Sequence, residues 1–417
     1  MAYLHGIEFI NLPSDFVGVN DQVTAVIGLI GTADGVKEWN ETSETWEIVE
    51  PIEFNKLYLV KNEKDDAIFG TDGTIPEALR AIRMQTSTRG SALVFVIAVK
   101  GSDDVVTPAD IVGAVSSTGV RTGLKLFETA KQKWTFAPMI YIAPRYSFMP
   151  TVMAELIAIN AKDNSMSYID VPDGGTFDSV MESRATAGQF AGLTDGQRLC
   201  FPHFLVANPE YIDEDTTPSV EKYFTVPQSP FLAGLRAKVD LEEGWHISLS
   251  NHQVFGVEGM DVDLTFGLSD PTTEVQLLNS VGVTTAVNLP FRGINAWGNR
   301  SAGFPGNMDV DSFENVRRVR AIMQRAIGEA CVPFLGKRNI NKATIDLITN
   351  SVNMYILDCI GQGRINDGTC YYDPNKNTAT ELAKGHITLT IEVVPAIPIE
   401  RLTFEYKFDL MKLEQIM

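Results

Sequence analysis

Apolar and polar side chains alternate strictly near the C-terminal end of this chain. Leu402, Phe404, Tyr406, Phe408 and Leu410 fall on one side and Thr403, Glu405, Lys407 and Asp409 on the other. A period of two is the pattern of a half-buried strand. The preceding run, ITLTIEVV, is also strand-like, and Pro395 and Pro398 separate the two, because proline removes a ladder donor and restricts the backbone. Such a strand carries open main-chain groups along its edges, which need a partner in this chain or in another copy. AYLHGIEFINLP at the other end is extended too, with Ile7 and Phe9 alternating and Pro13 as a stop.

Between these ends the texture changes. QVTAVIGLIGTA (22–33) reads as a buried strand, KEWNETSETWEIVEPIEF as an acidic, solvated loop, and NKLYLVKN (55–62) as a further strand. From PEALRAIRMQTS onward helices and continuous apolar runs take turns. The strands are SALVFVIAV (91–99), FAPMIYIAP, SMSYIDVP and RLCFPHFLVA. The helices are PADIVGAVSSTGVRTGLKLFETAKQKW, TVMAELIAINAKD and TFDSVMESRATAGQF. Runs that are apolar on both faces and alternate with helices predict a parallel sheet covered on each side. PDGGT and LTDGQ mark surface turns within it. The charged, proline-containing stretch 211–230 is a candidate boundary. Beyond it come a helix, loop and short strand over PFLAGLRAKVDLEEGWHISLSNHQVFGVEGM, strand-like NLPFRGINAWGNRS, helices over 311–336 and 341–363, and a strand over RINDGTCYYDP. The fold class expected is α/β and α+β, multidomain, with extended terminal β arms.

At 417 residues two to three domains are expected, and 44% hydrophobic with 21% charged residues is globular composition. Acids outnumber bases 53 to 34, a net charge of −19, which argues against nucleic acid as the main partner, since phosphate binding draws on Lys and Arg. No 18-residue apolar run predicts membrane insertion, and MAYLHGIEF does not read as a secretory signal. Cys200, Cys331, Cys359 and Cys370 are widely spaced thiols without a CxxC pair; a late disulfide, if one forms, is expected first between Cys359 and Cys370. The five histidines form no HExxH, and neither GxSxG nor a phosphate loop is present, so no cofactor, no metal and no enzyme activity are expected. A hydrolase would have to assemble Asp170, Asp173, His203 and Ser229 through the fold, which nothing in their spacing favours. One basic concentration stands out: Arg317, Arg318, Arg320 and Arg325 lie in a stretch without an acid, followed by Lys337, Arg338 and Lys342. On a helix these form a stripe that either pairs with acids of its own assembly or attaches an acidic partner.

Seven segments, in order, resemble the contractile-tail sheath family, the outer-tube proteins of myophages and R-type tailocins. They are YLHGIEF, TAVIGLIGTA, FGTDGTIPEALRAI, PQSPFLAGLRAKVDLEEGWHISLSNHQVFGVEG, NLPFRGINAWGNRS, ENVRRVRAIMQRAI and VVPAIPIERLTFEYKF. Trp297-Gly298-Asn299-Arg300-Ser301 stands where members often read W-G-x-R-T, and the segment between 31 and 75 does not match. The resemblance implies helically stacked hexameric rings of this chain around a tail tube protein, with baseplate and terminator partners, in a virion tail assembled in the host bacterial cytoplasm. A non-phage injection system is the nearest alternative, and a cytosolic α/β hydrolase the one from another class. The resemblance also implies an N-terminal arm (1–20) and a C-terminal arm (395–417), each entering a neighbour. Between them it implies a β-rich part (21–100), an outer α/β domain (101–270) and an inner tube-proximal domain (271–394). Tyr3, Leu4, Ile7 and Phe9, with Leu402, Phe404, Tyr406, Phe408 and Leu410, would be the exchanged strands. Gly18, Pro395 and Pro398 would be hinges, and the seven basic residues would face the tube.

Overall fold

The computed structural model describes residues 19, 24–40, 45–86, 92–100, 105–212 and 220–408. Tyr3, Leu4, Ile7, Phe9, Gly18 and Leu410 lie outside the described residues.

Chain order begins with β1 (Ile27–Gly31), the hairpin β2 (Val36–Asn40) and β3 (Thr45–Glu50), and β4 (Leu57–Val60). β5 (Val94–Ala98), β6 (Ile140–Ile142), β7 (Met166–Asp170) and β8 (Gln197–Cys200) follow. The short strands β9 (Phe204–Ala207), β10 (Tyr223–Val226) and β11 (Gly259–Met260) make a small antiparallel sheet of their own. β12 (Val283–Leu289) and β13 (Gly293–Trp297) return to the main sheet, and β14 (Ile365–Tyr372) pairs with β15 (Leu389–Pro395). The main sheet has eight strands in the order β13-β12-β8-β7-β6-β1-β5-β4. Its inner members are parallel, while β13 and β4 close the two edges antiparallel.

Alternation along the strands splits the core into two layers, because successive side chains point to opposite faces. Ile27 and Leu29 of β1, with Val94 and Val96 of β5, meet the helices Thr74–Thr86 and Gln228–Glu242 through Ile75, Leu79, Ile82, Phe231, Leu232 and Leu235. Val26, Ile30, Phe95 and Ile97 face the other way, onto Phe127, Val152, Leu156 and Val180. A third cluster joins the helices Glu314–Cys331 and Lys342–Gly361 to the β14–β15 hairpin through Val319, Ile322, Tyr355, Ile356 and Cys359.

Five expectations need correction. The acidic segment after β1 is not a loop throughout: β2 and β3 pair as a hairpin with glutamates among their residues. The single helix expected over 108–134 is broken into Pro108–Val112, a turn, a 3₁₀ segment Gly123–Thr129 and Ala130–Trp134. Gly113 and Gly123 sit at φ +68° and +55°, and a Cβ at either would strike facing backbone, so the chain turns there instead of continuing helical. RLCFPHFLVA is not one strand, since Pro202 separates β8 from β9 and the two belong to different sheets. NLPFRGINAWGNRS is not one strand: Asn288 and Leu289 end β12 and Gly293–Trp297 is β13, and in β12 the polar Thr284 and Thr285 are both buried, Thr285 Oγ1 donating to Trp297 O (3.1 Å) and Thr284 Oγ1 accepting from Arg198 Nε (2.8 Å). Finally, the boundaries at 100/101 and 270/271 do not divide the fold, because the eight-stranded sheet takes strands from both sides of each.

Candidate assembly interface

The C-terminal hairpin has an edge left unpaired by any strand among the described residues. β14 rests on the Lys342–Gly361 helix, and Asn353 of that helix grips one point of its outer edge. Its amide donates to Cys370 O (2.8 Å) and its carbonyl accepts from Cys370 N (2.7 Å). Both main-chain groups of Cys370 therefore point away from β15, and that edge position is filled. β15 presents the hairpin's other edge, with Ile391 and Val394 exposed beside it.

After Pro395 the chain leaves the ladder. Asn315 Nδ2 reaches Ala396 O (3.3 Å), and Arg300 holds Glu400 in a two-pronged pair, Nε to Oε1 at 2.9 Å and Nη2 to Oε2 at 2.6 Å. From Arg401 to Phe408 the chain has no assigned secondary structure and is exposed. Leu402, Phe404, Tyr406 and Phe408 are 67, 82, 84 and 75% exposed, so the period-two row finds no strand partner within the described residues of its own chain. Large aromatic side chains left this open are uncommon on an isolated soluble body unless something covers them. Neither Arg300, Asn315 and Asn353 nor Glu400 stood out in the sequence. The signal they carried was membership of the resembling segments: Arg300 lies in NLPFRGINAWGNRS, Asn315 in ENVRRVRAIMQRAI and Glu400 in VVPAIPIERLTFEYKF.

The basic stripe divides. Arg317 and Arg318 cannot face a tube: both are buried, which corrects the expectation for these two. Arg317 donates to Ser165 O (3.3 Å), and Arg318 donates to Thr24 O (3.3 Å) and to the buried carboxylate of Asp240. Asp240 also takes Arg236 Nε at 2.6 Å, so one carboxylate joins two buried guanidiniums. Desolvation lowers the pKa of Arg236 and Arg317. These arginines sit on the helical face that packs on the sheet, a side the local charge pattern cannot reveal. Arg320 is partly exposed and pairs with Asp311, and half-buried Arg325 reaches Ala137 O (3.4 Å). Lys337, Arg338 and Lys342, between the two helices, are exposed, beside exposed Leu335.

Asp170 and Ser229 do meet, but as a structural joint. Ser229 N donates to Asp170 Oδ1 (2.8 Å) and its hydroxyl to Oδ2, tying β7 to the first turn of the Gln228–Glu242 helix. His203 turns its Nε2 to Val171 O (2.9 Å), while Nδ1 lies 3.3 Å from Asp173 and 3.6 Å from Asp261 without hydrogen-bond alignment. The hydroxyl donates to a carboxylate, so no serine–histidine relay forms. Burial pushes Asp170 up to about 6. All four cysteines are free thiols, with Cys200, Cys359 and Cys370 buried. No helix among the described residues is long and apolar enough to cross a membrane.

The fold thus combines a helix-covered sheet, a helical C-terminal module and an exposed arm whose apolar row has no partner among the described residues. Residues 312–409 match the phage tail sheath C-terminal domain family. The tail sheath protein of Burkholderia phage BcepMu is 35% identical over 72% of this chain, which spans only 61% of that relative. The tail sheath protein of Escherichia phage P2 is 26% identical, over 97% of this chain and 95% of its own. The fold is that of the contracted helical sheath of the anti-feeding prophage, with a TM-score of 0.68 at 16% identity, covering 98% of this chain and 100% of that one. The contracted sheath complex of the PVC extracellular contractile injection system aligns at a TM-score of 0.67 and 15% identity, over 99% of each chain. Residues 312–409 thus belong to the phage tail sheath C-terminal domain family, and the chain as a whole is similar to tail sheath proteins along nearly its full length.

Proposed function

We propose that this chain is the structural subunit of a contractile sheath, stacking as helical hexameric rings around a tail tube and contracting to drive that tube through a target envelope. The observation that carries this reading is the exposed aromatic row at 402–408 leaving the body beside the open edge of β15. Completion of one copy's hairpin by another copy's arm is strand addition, in which main-chain bonds supply affinity and alternate side chains specificity. A six-residue strand making about six bonds at roughly 0.5–1.5 kcal/mol each contributes on the order of 3–9 kcal/mol before apolar burial. Tyr3, Leu4, Ile7 and Phe9 form the second arm, and Leu410 extends the first.

Contraction on this reading is rigid-body motion of subunits about their arms, with Gly18, Pro395 and Pro398 taking up the change of direction. The C-terminal module with the N-terminal arm lies toward the tube, and the eight-stranded sheet lies outward. Lys337, Arg338 and Lys342, with Arg320 and Arg325 at their flank, then attach weakly and salt-sensitively to an acidic tube. Further partners are the baseplate and tail terminator, and assembly precedes release, in the host cytoplasm. No cofactor enters the mechanism.

Removal of residues 399–417 tests the proposal. The expected product is a soluble monomer with the parent's thermal transition that forms no tubes in negative-stain electron microscopy. Tubes from the truncated chain, or collapse of the monomer fold, would overturn it.

A further inference from the structure

We infer that Arg300 and Glu400 are a latch that sets where and in which direction the C-terminal arm leaves the body. The inference rests on the sheath reading for its consequence, but the latch itself is a property of the monomer.

The Arg300 guanidinium is held on every side. Its carbon stands 3.6 Å from the ring centre of Phe313 and 4.8 Å from that of Phe304. Nη1 donates to Ser312 Oγ, whose own hydroxyl donates to Asp309 O at 2.6 Å. The backbone carrying it is fastened on both sides: Ser301 N donates to Ser312 O at 2.7 Å and Glu314 N to Asn299 O at 3.0 Å. Its remaining donors, Nε and Nη2, project in one plane as a fork, the geometry that matches a carboxylate. Glu400 fills that fork with both oxygens.

Position along the chain makes this more than a surface ion pair. Glu400 lies five residues past the end of β15 and directly before the period-two row, and it is the last described residue whose side chain hydrogen-bonds to the body. With Asn315 on Ala396 O, the segment 396–400 is tied at two points while 401–408 projects free. An arm with a fixed exit loses less conformational freedom on pairing than one that swings from Pro395, so the latch promotes strand addition by preorganisation. Arg300 and Glu400 are thus positioning residues.

Tryptic cleavage of the full-length monomer reads the latch directly. Trypsin needs several residues on each side of its bond free of the body, so a held Glu400 shields Arg401–Leu402 and leaves Lys407–Phe408 open. In Glu400→Gln, and in Arg300→Lys, which keeps the charge but loses the fork, cleavage at Arg401 should accelerate about five- to thirty-fold, the span that the loss of one or two kcal/mol corresponds to. Cleavage at Lys407 and the thermal midpoint should stay unchanged. Added salt should speed Arg401 cleavage in the parent and not in Glu400→Gln. The concentration needed for tube formation should rise in both variants. Equal Arg401 cleavage in parent and variants overturns the latch, and faster cleavage with an unaltered assembly threshold overturns its part in strand addition. If the parent itself forms no tubes while the cleavage pattern holds, the sheath reading fails and the latch stands.

Discussion

Buried charge decides what individual residues contribute here, and it acts in two opposite ways. Asp240 is surrounded by cations: Arg236 and Arg318, both buried, share its one carboxylate. Asp240→Ala leaves both without a carboxylate, and a cost of about 3–5 kcal/mol is expected in urea unfolding, since breaking a buried pair strands a charge. Asp170 is short of compensation. Burial raises it to about 6 from 3.8, despite His203 nearby and two bonds from Ser229. The folded state therefore holds this proton more tightly than the unfolded chain does. Its contribution is fully present below the ordinary aspartate range and is lost as pH rises through about 6. Asp170→Asn stays neutral throughout, so its stability relative to the parent should climb between pH 4 and 6 and level off above, by about 1–3 kcal/mol. A flat difference across that range would show that the parent carboxyl is not perturbed.

Elements meet closely at two points where a single atom matters. Gly234 lies where the helices Thr74–Thr86 and Gln228–Glu242 approach, and a Cβ there would come within 2.8 Å of both Ile82 Cα and Ile82 O. Gly234→Ala must push two helices apart, and about 1–3 kcal/mol of lost stability is expected, read by thermal or urea unfolding. Asn353 is the other point. Asn353→Ala releases both main-chain groups of Cys370 and opens the β14 edge. A loss of about 1–3 kcal/mol follows for unmade bonds at a part-buried edge, with faster amide exchange at Cys370 as its local signature.

Across the whole molecule, the C-terminal module is fastened to the sheet through polar joints. Glu314, the first residue of its helix, takes the Tyr168 hydroxyl at 2.7 Å and a guanidinium nitrogen of Arg198, whose other nitrogen reaches Gly298 O at 2.6 Å. Asp240 and Arg318 make the second joint. The body from β1 to β15 should accordingly open as one unit. Native-state hydrogen exchange should protect the Glu314–Cys331 helix to the level of β6 and β7. Release of that helix at distinctly lower free energy would mean that the module is an independent domain.

The sequence by itself determined what repeats locally. Continuous apolar runs specified β1, β5, β6 and β7, 3.6-residue periodicity specified the long helices, and strict alternation singled out 402–410 as a strand in search of a partner. Seven ordered segments carried the family resemblance. Only the tertiary structure decided which helical face of 314–331 is buried, so that Arg317 and Arg318 became internal ties while Lys337, Arg338 and Lys342 stayed outside. It also decided that one sheet runs through the expected domain boundaries, and that Arg300 meets Glu400 across a hundred residues. Periodicity reports on neighbours along the chain, whereas burial of a charge and the meeting of a fork with its carboxylate depend on what other elements bring near. The arm was legible because alternation is a pattern of near neighbours along the chain; its latch was not, because both halves are ordinary residues until the fold brings them together.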